Sequence, residues 1–128
     1  MNYHHIDTAA LEQRDDRPTD VRSISAAAGL DYDGAPFGLR LYEADPGGKL
    51  PFQYHCHDEQ TELFYVLGGE LRVETPEGEF VVGTDKAFVA EPGNPHLASN
   101  PEGAERPVRG LALGAPTVDD ARPYEPEE

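Results

Sequence analysis

From residue 37 onward, apolar and polar positions alternate in short runs broken by glycine and proline, a rhythm that predicts strands. A first strand is expected over 37–43 and ends at the turn Asp45-Pro46-Gly47-Gly48. A second is expected over 50–57, and a third over the apolar run 63–67, closed by Gly68-Gly69. Runs at 71–74 and 79–82 flank Thr75-Pro76-Glu77-Gly78, where Pro second and Gly fourth predict a hairpin. Strands at 87–90, 96–99 and 108–113 complete the set, with Pro92-Gly93 as a tight turn between two of them. Many short strands with turn signals between them imply an all-β sandwich or barrel. Upstream, residues 1–36 are polar and weakly patterned. Ser25-Ala26-Ala27-Ala28-Gly29 is expected to form one helical turn, with Ser25 as N-cap and Gly29 as stop. The layout expected is an N-terminal arm (1–36) packing on the barrel or a partner, a barrel (37–114), and an acidic, proline-containing tail (115–128).

A chain of 128 residues fits one domain with one core. Its single cysteine, Cys56, rules out an internal disulfide and suits a reducing compartment. No apolar run is long enough to span a bilayer, and the first residues lack the pattern of a signal peptide. A cytoplasmic location is the expectation. Against 25 acidic residues stand 10 basic ones, a formal net charge of -15. The acids are spread along the chain, and only Lys49 and Lys86 are lysines. That spread suits a protein kept soluble in strong salt, as in a halophilic archaeon, where screening removes self-repulsion. With no basic patch to neutralise phosphates, nucleic acid and anionic membranes are excluded as expected partners.

Of five histidines, His4 and His5 adjoin near the start, in what is expected to be an exposed arm. The other three are His55, His57 and His96, and Glu62 lies close to the first two. Imidazole nitrogens with one carboxylate oxygen form a ligand set that first-row transition metals favour. Residues two apart on a strand share a face, so His55 and His57 present two imidazoles together, with Cys56 opposite as a packing residue. Glu62 opens the following apolar run, from which a neighbouring antiparallel strand could bring its carboxylate towards them. Gln53, by strand parity, is a candidate to face the same cavity, as is Pro51. Phe64, Phe80 and Phe88 are expected in the core.

Taken together, these residues resemble the two motifs of a small single-domain cupin. His55, His57, Glu62 and Gly69 match the first; Gly93, His96 and Asn100 match the second, with Pro92 one place late. Glu91 stands at the second motif's proline position, and Asp85 at a glycine position, with Gly83 two places early. Gly48 falls one place early before the first motif. The resemblance implies a cupin-like double-stranded β-helix, or jelly roll, with extended terminal arms and a small-molecule ligand in the barrel. It also implies that His55, His57, Glu62 and His96 hold one divalent transition metal, Fe, Mn, Ni, Co or Zn, with one or two positions open for water, O₂ or substrate. A homodimer is expected on the same ground. Two functional classes follow: a metal-dependent enzyme on a small organic molecule, with oxygenation first and decarboxylation or isomerisation next, or a non-catalytic binding or sensing barrel. No catalytic group is fixed, and Gln53 and Glu91 are the two weak candidates.

Overall fold

A computed structural model describes residues 2–13, 19–50 and 54–125. Its strands run β1 (Asp20–Ser23), β2 (Gly38–Ala44), β3 (His55–His57), β4 (Thr61–Gly68) and β5 (Leu71–Thr75). They continue as β6 (Gly78–Val82), β7 (Ala87–Ala90), β8 (Leu97–Ser99), β9 (Val108–Ala115) and β10 (Ala121–Pro123). One antiparallel sheet has the order β1-β2-β9-β4-β7. Opposite lie β6-β5-β8 and the pair β10-β3, joined by a bridge between His55 and His96. This is the all-β jelly-roll architecture expected. Strands β1 and β10 lie outside the stretch 37–114.

Alternation sets the core. Tyr42, Ala44, Phe64, Val66 and Val108 turn inward from the larger sheet and meet Leu71, Val73, Val82 and Ala98 from the smaller. Phe64 is buried and Phe88 packs against the cluster, but Phe80 is 46% exposed, so it is not core as expected. Its strand β6 is an edge, exposed at four of its five positions, and Phe80 instead packs its ring at a tilt against Phe88, with centroids 5.4 Å apart. Cys56 is buried, as a packing residue should be. The hairpin at 75–78 joins β5 to β6.

The helical turn forms as α1 (Ile24–Ala27), but its N-cap is Ser23, whose hydroxyl accepts the Ala26 N–H at 3.0 Å. Ser25 is not the cap because its hydroxyl accepts the Leu39 N–H, at 3.0 Å, fastening the turn to β2. Two Pro-Gly turns close as their residues dictate, with Gly47 at φ 89° and Gly93 at φ 83°. Asp85 occupies the left-handed region at φ 65°, the conformation for which a glycine is the usual choice. Its N–H donates to the Val66 carbonyl at 2.8 Å, and its carboxylate accepts the Tyr65 hydroxyl at 3.2 Å. Asn100 is buried and donates to the carbonyls of Ala44 and Arg106, clamping two loops. Among the described residues, no helix is long and apolar enough to cross a membrane.

Candidate metal centre

The four expected ligands come together from both sheets. His55 and His57 lie on β3, and both are buried. His96 precedes β8 and pairs directly with His55 through two backbone hydrogen bonds, of 3.2 and 2.9 Å. The turn at Pro92-Gly93 is tied to the same strand, because the Gly93 N–H donates to the His57 carbonyl at 2.6 Å. Glu62 arrives differently from expectation. Its strand β4 pairs with β9 and β7, not with the histidine strand. Glu62 therefore projects from the inner face of the opposite sheet and meets the imidazoles across the barrel.

The distances are short. His57 Nε2 lies 2.8 Å from Glu62 Oε2 and 3.1 Å from His55 Nε2. His96 Nε2 lies 3.3 Å from Glu62 Oε1, and His55 Nε2 is 3.8 Å from Oε2. The ligand atoms of His55, Glu62 and His96 all fall within 4.8 Å of one another, so these three residues could hold a metal ion. Cis ligands on an octahedral ion with bonds of about 2.1 Å are about 3 Å apart, the spacing of the closest pairs here.

Proton placement favours the same conclusion. His96 Nδ1 faces the Asn94 carbonyl at 2.9 Å, an oxygen that can only accept, so Nδ1 carries the proton. His57 Nδ1 faces Asp120 Oδ1 at 2.8 Å. Burial opposes ionisation of Asp120. The Gln60 and Glu59 amides and His57 outweigh that effect and hold its carboxyl below its ordinary range, so it too only accepts. With the proton on Nδ1, each ring turns its Nε2 towards the Glu62 carboxylate, a position that suits a second proton or a metal ion. Burial would raise the Glu62 pKa, but hydrogen bonding to His55, His57 and His96 holds it well below the usual carboxylate range. Burial would lower that of His57, but Glu62 and Asp120 push it up instead. Surroundings that favour a proton on His57 also favour a divalent cation.

A cavity of about 1160 Å³ adjoins the centre, with His55, His57 and Glu62 in its wall. His96, 1% exposed, is backed by the rings of Phe64 and Phe88, with centroids at 6.1 and 6.2 Å. Of the weak candidates, Glu91 is exposed, and its backbone carbonyl accepts from Asn94. Gln53 and Pro51 lie outside the described residues. The residues not anticipated are Gln60, Arg40, Tyr42 and Asp120. The first three line the cavity, and Gln60 is buried, its amide donating to the Pro116 carbonyl at 3.0 Å. Inward parity on β2 is the signal that could have found Arg40 and Tyr42. No spacing rule places Asp120 beside a histidine 63 positions away.

A family model described as "Cupin domain" matches residues 40–113, more than half of the chain. No curated protein sequence matches. Among solved structures, the polyketide cyclase RemF from Streptomyces resistomycificus is similar, with TM-score 0.75 and 22% identity over 98% of this chain and 88% of that one. A conserved protein with a double-stranded beta-helix domain from Klebsiella pneumoniae has TM-score 0.71 and 16% identity, covering 97% of this chain and 99% of the other. A candidate sugar phosphate isomerase from Acidithiobacillus ferrooxidans has TM-score 0.67 and 22% identity over 80% of this chain. This chain spans 62% of that structure's length. At such identities the likeness is one of fold. With both motifs, the barrel and the family match in agreement, the chain belongs to the cupin family.

Proposed function

We propose that this chain is a metal-dependent enzyme acting on a small organic molecule, with one divalent transition metal held by His55, His57, Glu62 and His96. The observation that carries the reading is the convergence of imidazole Nε2 atoms and the Glu62 carboxylate at the wall of a large cavity. Three nitrogens and one oxygen suit Fe, Mn, Ni, Co or Zn. When bound, such an ion would polarise a substrate oxygen or provide a point of attachment for O₂. The protein's own part is to bind and orient the substrate. Arg40 lines the cavity from β2. The Gln60 amide, fixed over Gly114 by Pro116, offers a neutral hydrogen-bonding edge beside Glu62. Phe64 and Phe88 keep water from the far side of His96.

Proton transfer needs an acid or base within hydrogen-bond reach of the substrate. Asp120 touches His57 with its oxygens already engaged, and Asp31, Tyr42 and Asp119 line the cavity. Of the reactions open to such a site, oxygenation is placed first, with decarboxylation or isomerisation next. The test is O₂ uptake by Fe(II)-loaded protein over a panel of phenols, polyketide-like aromatics, sugar phosphates and small keto acids. Substrate-dependent uptake, lost in His96→Ala, supports an oxygenase. Anaerobic turnover of the same panel with Mn, Ni, Co or Zn moves the assignment to the other reactions. Tight binding without turnover under any metal leaves a non-catalytic binding barrel.

A homodimer joined through the outer face of the five-stranded sheet accompanies this reading. Leu39, Leu113, Leu63 and Val89 form a row across four strands, and Leu41, Leu111 and Tyr65 form the next. On a chain of net charge -15, these two largely apolar rows, bordered by Asp20, Arg22, Glu43 and Arg109, are where two copies meet with least repulsion.

A further inference from the structure

We infer that Asp120 is a positioning residue for the metal centre, and that the C-terminal segment carrying it is a working part of the site. The inference rests on the reading of His57 as a metal ligand. One Asp120 carboxylate is engaged three times. Oδ1 accepts from His57 Nδ1 at 2.8 Å, while Oδ2 accepts the backbone N–H groups of Glu59 at 2.7 Å and Gln60 at 2.9 Å. Those two amides belong to the link between β3 and β4, with His57 at one end and Glu62 just beyond the other. A single side chain thus fixes the ring of one ligand and the backbone that spaces it from the next.

The chemistry of the contact is directional. An ionised carboxylate only accepts, so it keeps the imidazole proton on Nδ1 and turns the Nε2 lone pair towards Glu62. An asparagine cannot reproduce this arrangement. With its oxygen towards the ring, its NH₂ confronts two backbone N–H donors. Turned the other way, its NH₂ faces Nδ1 and drives the proton to Nε2, the atom the metal needs.

The segment is built to hold Asp120 there. Strand β10 pairs with the histidine strand in the register Ala121↔His57, Arg122↔Cys56 and Pro123↔His55. The Tyr124 N–H donates to the Tyr54 carbonyl at 2.9 Å, and the Thr117 N–H to that of Ala35 at 2.9 Å. The C-terminal partners in these contacts, from Thr117 to Tyr124, lie beyond residue 113, where the family match ends.

The test compares Asp120→Asn, Asp120→Ala, His57→Ala and Arg122→Ala with the unaltered chain in chelator competition against Zn(II), with the Co(II) absorption spectrum as second readout. Loss of a group that orients a ligand should weaken metal binding about 10–100-fold. The expected result is that weakening in both Asp120 variants, with an altered Co(II) spectrum. Arg122→Ala, on the C-terminal segment, removes only an exposed ion pair to Asp58 of the β3–β4 link and should leave both readouts unchanged. If His57→Ala keeps full affinity, the four-ligand reading itself fails. If His57→Ala loses affinity and Asp120→Asn does not, the positioning role alone is overturned. A variant that does not fold leaves a direct measurement on the unaltered, Zn(II)-loaded protein: ¹⁵N shifts of His57 should place its proton on Nδ1, and a proton on Nε2 in that form overturns the inference.

Discussion

His55 and His96 form a hydrogen-bonded antiparallel pair, each backbone N–H donating to the other's carbonyl, with ring centroids 4.8 Å apart. In such a pair both side chains leave the same face. The bridge therefore does two tasks at once: it closes the smaller sheet and seats two imidazoles side by side over Glu62.

The Tyr42 hydroxyl, buried against Gly110, has no hydrogen-bond partner among the described residues, and burial pushes its pKa upward. An unsatisfied buried hydroxyl costs roughly 1–3 kcal/mol. Tyr42→Phe is expected to raise stability by about 1 kcal/mol in urea unfolding. It should also remove the loss of stability that sets in above about pH 10, where the unfolded tyrosine ionises and the folded one resists. A destabilised Tyr42→Phe would mean that the hydroxyl has a partner after all.

Asp85 holds a left-handed backbone at φ 65° where glycine is unstrained. The Asp85→Gly variant loses an exposed hydrogen bond to Tyr65 but relieves a cost of about 1 kcal/mol. A small rise in Tm is the expected outcome, and a fall would show that the Tyr65 contact outweighs the strain.

The alternating runs and Pro-Gly turns made most of the barrel legible, because period-two burial and turn chemistry are local. The pairing of His55 with His57 on one face followed for the same reason. Glu62 lies beside the imidazoles but reaches them from the opposite sheet and not from a neighbouring strand, since which strands become neighbours depends on the whole topology. Ser25 looked like the cap until Leu39, distant in sequence, claimed its hydroxyl. Asp120 was hidden in an acidic tail, where one carboxylate looks like another until β10 finds β3.

The pH response should differ in sign with and without metal. Ligand imidazoles must be neutral, so the metal-loaded form loses stability as pH falls through about 6.5. In the metal-free form the His57 pKa is raised: burial opposes the shift, and Glu62 and Asp120 cause it. A raised group stabilises fully below its unfolded value and loses that contribution as pH rises through its folded value. The Tm gap between the two forms should therefore narrow from about pH 8 to about pH 5.5. A gap independent of pH would contradict imidazole ligation.

Light scattering tests the outer face. Leu113 sits centrally in the row from Leu39 to Val89, between Leu39 and Leu63. Leu113→Glu places a charge on each side of the proposed interface and should convert a dimer into a monomer. An unaltered chain that is already monomeric, or a variant that remains dimeric, rules out this face.

The most direct measurement is the metal content per chain of protein purified without a histidine tag, alongside a His55→Ala/His57→Ala double variant. About one transition-metal ion per unaltered chain, and almost none in the variant, is the result predicted for a single site. Full occupancy in the double variant, or an unaltered chain that takes up no ion when offered Fe(II), Mn(II), Ni(II), Co(II) or Zn(II), would contradict a metal centre built on these residues.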